Sequence, residues 1–131
     1  MALVYLPEQS WSVRYGPDYF TVAIIGFKVY EGGAFAQFEL QVQNGKRNWT
    51  LLRRFSEFDR LRWSVRHRGG ERLPDLPPKT FFCRDLNPDF LALRKALLAK
   101  FLHELLAIPG VTDEATVRDF LLLQGSTTLF V

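Results

Sequence analysis

The sequence predicts an α+β fold: a three-stranded antiparallel β-meander packed against a helical subdomain, with a proline-rich loop between the first two helices. Two observations carry this. Segments of period two, or rich in β-branched and aromatic residues, all lie before Phe55, whereas helical periodicity begins after it. Between the first two helical segments, ERLPDLPPKTFF holds Pro74, Pro77 and Pro78. A chain of 131 residues that is 47% apolar has the size and core material of one ordinary domain. The expected organisation is an N-terminal extension over 1–19, one folded unit over 20–123 and a tail over 124–131.

Phe20 to Tyr30, FTVAIIGFKVY, reads as a strand buried on much of both faces. Glu31-Gly32-Gly33 turns the chain. In AFAQFELQVQ the apolar residues Ala34, Ala36, Phe38, Leu40 and Val42 alternate with Gln37, Glu39, Gln41 and Gln43, which predicts a strand with one wet face. Asn44-Gly45 is a strong hairpin signal, because a type I′ turn needs positive φ at both central residues. KRNWTLLRRF is then the return strand. A strict two-residue loop at Asn44-Gly45 pairs Val42 with Arg47, Leu40 with Trp49 and Ala36 with Arg53. That register sends Arg53 to the core side and Arg54 to the other.

Ser56 is a candidate helix cap, with Glu57 and Asp59 in the positive first turn. Phe58, Leu61 and Val65 share one stripe, and Gly69-Gly70 ends the segment. The three prolines fix φ and remove donors, so their segment is extended. Residues 89–108 form the longest predicted helix, stopped by Pro109-Gly110. Thr112 or Asp113 is the expected cap of a last helix carrying Val117, Phe120 and Leu121.

Net charge is only +3, but seven arginines between Arg53 and Arg72 face Glu57, Asp59 and Glu71, so this segment alone carries +4. A local basic patch is expected. Cys83 is the single cysteine, which excludes an internal disulfide and a cysteine-rich zinc site. The start, MALVYLPEQSW, lacks the pattern of a signal peptide, and no run of roughly 18 apolar residues occurs, so any membrane contact is expected from the cytosolic side. Without a secretory signal, the acceptor triplet Asn48-Trp49-Thr50 carries little weight. His67 and His103 lie far apart, Cys83 has no evident base and no glycine-rich phosphate loop occurs, so no catalytic set assembles. No enzyme, metal or cofactor is expected. Nucleic-acid binding is disfavoured because the acidic residues interrupt the arginine run.

Arg94 lies three or four residues from Phe90, Leu91, Leu97 and Leu98, all apolar. Such an arginine pairs with a buried carboxylate, extends outward along its stem, or points into a ligand pocket. The combination Arg54-Phe55-Ser56-Glu57-Phe58, then Leu76-Pro77-Pro78-Lys79, then Arg94 with Phe101-Leu102 and Leu105-Leu106, resembles the phox-homology (PX) domain. The resemblance spans roughly Phe20 to Leu123. It implies recognition of phosphoinositides, above all phosphatidylinositol 3-phosphate. By resemblance Arg54 grips the 3-phosphate, Phe55 stacks on the inositol, Lys79 meets the 1-phosphate and Arg94 binds the 4- and 5-hydroxyls. A guanidinium fork suits a terminal phosphate, and an ammonium suits a bridging one.

Phe55 stands where many members have tyrosine, so a hydroxyl hydrogen bond is lost and the ring face is kept. Because simple register opposes the assignment of Arg54, Arg53 stays in reserve as the ligand, pending a bulge or twist that swaps faces. Phe81 and Phe82, on the proline-stiffened loop, either tuck onto the core or enter the lipid interface. Arg60, Arg62, Arg66 and Arg68 form a solvated face or add attraction to an anionic leaflet. Pro74-Asp75-Leu76-Pro77 matches P-x-x-P, a ligand pattern for SH3 domains, or simply braces the loop. The reading is a cytoplasmic module, peripherally bound to endosomal or vesicular membranes. The alternative is a PX-type protein-interaction domain with weak binding, or binding to bisphosphorylated lipids.

Overall fold

The computed structural model describes residues 14–15, 18–30, 35–45, 47–78 and 87–123. Strands β1 (Arg14–Tyr15) and β2 (Asp18–Tyr19) pair with each other ahead of the main sheet. That sheet is an antiparallel meander of β3 (Thr21–Val29), β4 (Ala36–Asn44) and β5 (Arg47–Arg54), in that order. Helix α1 (Phe55–Ser64) follows directly, then a short α2 (Arg66–Gly69) and a 3-10 turn over Gly70–Arg72. Helix α3 (Pro88–Leu106), a 3-10 turn over Val111–Asp113 and α4 (Ala115–Leu121) complete the fold. No described helix is long and apolar enough to cross a membrane.

The alternation in β4 does what its period requires. Phe38, Leu40 and Val42 are buried on one face and oppose Phe27 and Val22 on β3 and Leu51 on β5. Phe58 of α1 meets Phe38 with centroids 6.4 Å apart and Phe120 of α4 at 5.0 Å, both edge-to-face. These three rings join sheet, first helix and last helix, an arrangement favoured by the aromatic quadrupole. Leu91, Leu98, Phe101, Leu102 and Leu105 of α3 close the same core.

The expectation for β3 holds only in its first half. Val22, Ala23 and Ile24 are buried, but Ile25, Lys28, Val29 and Tyr30 are exposed. The change falls at a register shift between Ile24 and Gly26, where the extra residue reorients the strand.

The hairpin register also differs. Asn44 pairs with Arg47, Val42 with Trp49, Leu40 with Leu51 and Phe38 with Arg53. The loop is therefore Gly45 with Lys46, the latter outside the described residues, and Gly45 supplies the positive φ of 62°. This two-residue displacement leaves Arg47 at the exposed tip rather than opposite buried Val42. Because the displacement is even, each side chain keeps its expected face.

Local sequence misassigned two caps and named none for the long helix. Helix α1 begins at Phe55, so Ser56 sits inside the first turn. The Glu57 carboxylate accepts from the Arg54 N–H at 2.7 Å and does the capping instead. Glu114 occupies the cap position of α4, without a side-chain cap. Thr112 is buried, and its carbonyl accepts from Arg118. Helix α3 is capped by Asn87, whose Oδ1 accepts from the N–H groups of Asp89 and Phe90, with Pro88 at the first helical position.

The segment after the 3-10 turn is extended as its prolines dictate, and it is pinned at both ends. Arg62 Nε donates to the Pro74 carbonyl at 2.8 Å, and Arg94 donates to the Pro78 carbonyl. Gly69 lets the chain double back, since a Cβ there would lie 2.9 Å from that of Leu73.

Candidate functional site

Consecutive residues of a strand face opposite sides, and β5 uses this to separate its two arginines. Arg53 pairs with Phe38 on the core side and Arg54 with Gln37 on the other, through an unbroken ladder. No bulge swaps them. The Arg53 side chain spends its donors on protein carbonyls: Nε to Phe120 at 3.0 Å, Nη1 to Leu52 at 2.9 Å and Nη2 to Asp119 at 3.4 Å. Its guanidinium also lies 5.4 Å from the Phe120 ring centroid. With Trp49 Nε1 donating to the Leu121 carbonyl at 3.0 Å, these contacts satisfy the open carbonyls at the end of α4. A cation there also suits the helix dipole.

Arg54 is exposed, and among the described residues no carboxylate pairs with it. Its Cζ lies 3.9 Å from the centroid of Phe35. Phe55, the next residue, opens α1 and is half-buried.

Arg94 comes from the second turn of α3 and lands on the same junction. Its Cζ is 4.0 Å from the centroid of Phe55 and 5.1 Å from that of Phe90. Among the described residues it has no carboxylate partner, and it does not run free to solvent, which leaves the ligand-pocket alternative open. It lies against two aromatic faces with one arm tied to Pro78, while its Nε is buried with no partner among the described residues. Burial, which disfavours the charged form, pushes its pKa below the ordinary arginine value.

Arg54, Phe55 and Arg94 thus come together. Lys79, Phe81 and Phe82 lie outside the described residues, as does Cys83. Lys79 directly follows Pro78, whose carbonyl Arg94 holds. Pro74 and Pro77 are buried, so the P-x-x-P pattern is used in packing the loop. Phe35 was missed by sequence reasoning. Its signal was an aromatic residue in the polar phase of an otherwise alternating strand.

The arrangement offers two guanidinium groups, one 3.9 Å and the other 4.0 Å from an aromatic centroid. It suits an oxyanion, which in-plane N–H donors can reach. A family model described as "PX domain" matches residues 41–124.

The chain belongs to the PX domain family.

Rat serine/threonine-protein kinase Sgk3 is 31% identical to this PX domain over 87 residues, covering 66% of the chain and 18% of the kinase. Human sorting nexin-16 is 35% identical over 106 residues, covering 79% of the chain and 30% of the nexin. The chain therefore spans less than a third of either relative. A designed CISK-PX domain superimposes with a TM-score of 0.70 at 29% identity, covering 77% of this chain and 97% of that one. The mouse SNX19 PX domain with bound sulphate ion gives 0.59 at 22% identity, covering 82% and 99%, a likeness of fold. PX domains are in general phosphoinositide-binding modules.

Proposed function

We propose that this PX domain reads phosphatidylinositol 3-phosphate and recruits its parent protein to endosomal or vesicular membranes, without catalysis of its own. The observation that carries the reading is that Arg94 lies on the ring of Phe55, the residue next to Arg54, whose own guanidinium lies on Phe35, with no carboxylate opposing either arginine among the described residues. A buried arginine Nε with no partner among the described residues is costly unless a ligand uses it. In this reading Arg54 binds the 3-phosphate, Lys79 the 1-phosphate and Arg94 the 4- and 5-hydroxyls. Arg94 covers one face of Phe55, so the inositol meets the other. Phe81 and Phe82 enter the lipid interface beside it, where burial of each ring contributes up to about 1.5–3 kcal/mol. The likeness to sorting nexin-16 supports a role at trafficking membranes. With Pro74 and Pro77 buried, no SH3 partner is proposed.

Co-sedimentation with liposomes across a phosphoinositide panel, at low and physiological salt, tests this. Wild type is expected to bind 3-phosphate vesicles selectively at physiological salt, and Arg54→Ala to lose that binding with its circular dichroism unchanged. Equal binding to every anionic vesicle, lost in salt and indifferent to the substitution, would reduce the site to a basic surface. A folded protein that binds none of the lipids would favour the protein-interaction reading.

A further inference from the structure

Phe35 precedes β4 by one residue, and its position is fixed relative to Arg54 by register. Gln37 is the partner of Arg54 across the β4–β5 ladder, and Phe35 lies two residues before Gln37, hence on the same face as its diagonal neighbour. The guanidinium carbon stands 3.9 Å from the ring centroid. The ring is held in turn by its own hairpin. Its centroid is 4.9 Å from that of Tyr30 at 44°, and the Phe35 carbonyl accepts from the Tyr30 N–H at 3.2 Å.

We propose that Phe35 is a positioning residue for Arg54, a π platform that orders the guanidinium before the head group arrives. This deepens the head-group reading above and rests on it. All five donors of a guanidinium lie in its plane. An aromatic ring that takes the flat face therefore restrains the long side chain and leaves every donor free, whereas a carboxylate partner consumes donors and cancels charge. Ordering the side chain in advance lowers the entropy lost on binding. Arg66 also stacks, on Trp63, but both belong to the same helical stretch of chain. Phe35 leads into β4 and Arg54 ends β5, so their contact ties the start of β4 to the end of β5.

The test replaces Phe35 with 3,5-difluoro- and then pentafluorophenylalanine, which nearly preserve shape while draining and then reversing the negative ring face. Binding is measured to soluble inositol 1,3-bisphosphate and, separately, to vesicles carrying phosphatidylinositol 3-phosphate. Affinity for the soluble head group is expected to fall stepwise, by roughly three- to tenfold at full fluorination, with the thermal midpoint unchanged. Phe35→Tyr, which keeps the π face, is expected to bind the soluble head group like wild type. Unchanged soluble affinity at full fluorination overturns the proposal. A loss confined to vesicles overturns it as well, because it assigns Phe35 to membrane contact. If wild type binds neither the soluble head group nor the vesicles, the head-group reading falls and this falls with it. Binding by wild type that ignores fluorination removes only the role of Phe35.

Discussion

Arg53 and Arg54 point to opposite sides of β5, and that geometry sets what each substitution does. Arg53→Ala strips donors from the carbonyls of Phe120 and Asp119 and the cation from the end of α4. A loss of about 1–2 kcal/mol of stability is expected, read by urea denaturation. The Arg54 side chain is exposed and, among the described residues, rests on Phe35, so Arg54→Ala is expected to stay within about 0.5 kcal/mol of wild type. If the stability losses were reversed, the face assignment would be wrong. Much of this was legible in the sequence, because strand parity alone sent the two arginines apart. What parity could not supply was the partner of each. Phe120 lies 67 residues from Arg53, and Phe35 stood in the polar phase of a strand where the pattern had no use for it.

At the scale of elements, the sequence located strands and helices well and their ends less well. The NG dipeptide marked the hairpin correctly but misplaced its register by two, since pairing is decided by which side chains the sheet buries. Ser56 is a good cap in isolation, yet Glu57 already reaches the Arg54 N–H one turn earlier. The proline segment was legible as extended because proline acts locally. Its fastening was not, for it depends on two arginines from separate helices. Arg62 Nε holds the Pro74 carbonyl at 2.8 Å, and Nη2 lies 3.5 Å from exposed Asp75. Arg62→Ala is therefore expected to cost about 1 kcal/mol, most of it from the carbonyl contact. Amide exchange at Leu73, Asp75 and Leu76 should accelerate while α3 stays protected. Head-group affinity should also fall, because the other end of this segment is the carbonyl that Arg94 holds. Unchanged exchange across Leu73–Leu76 would assign the loop's rigidity to its prolines alone.

For the molecule as a whole, His103 and Glu114 couple folding to pH on the acid side, and they act in the same direction. The Arg68 hydrogen bond is the main cause that holds the Glu114 carboxyl below its ordinary value of 4.5, with the charges of Arg68 and His67 assisting and burial opposing. Its stabilisation is present above that value and is lost as pH falls through the lower folded one. His103 on α3 is half-buried, and burial lowers its pKa from 6.5. The unfolded chain therefore takes up this proton first, so stability declines as pH drops below 6.5 toward the folded value. Denaturation midpoints should fall continuously from neutral pH to below 4.5, first through His103 and then through Glu114. His103→Gln should flatten the upper part of this curve and leave the lower part steep. Glu114→Gln should do the reverse, at a lower plateau, because the contact with Arg68 weakens at every pH. An upper limb that survives His103→Gln would move the titration to another group. Neither group touches Arg54, Phe55 or Arg94 in any recorded contact. On the protein's side, acid should therefore act on head-group binding through the folded fraction, and any change in the affinity of the folded pocket should track protonation of the phosphate itself.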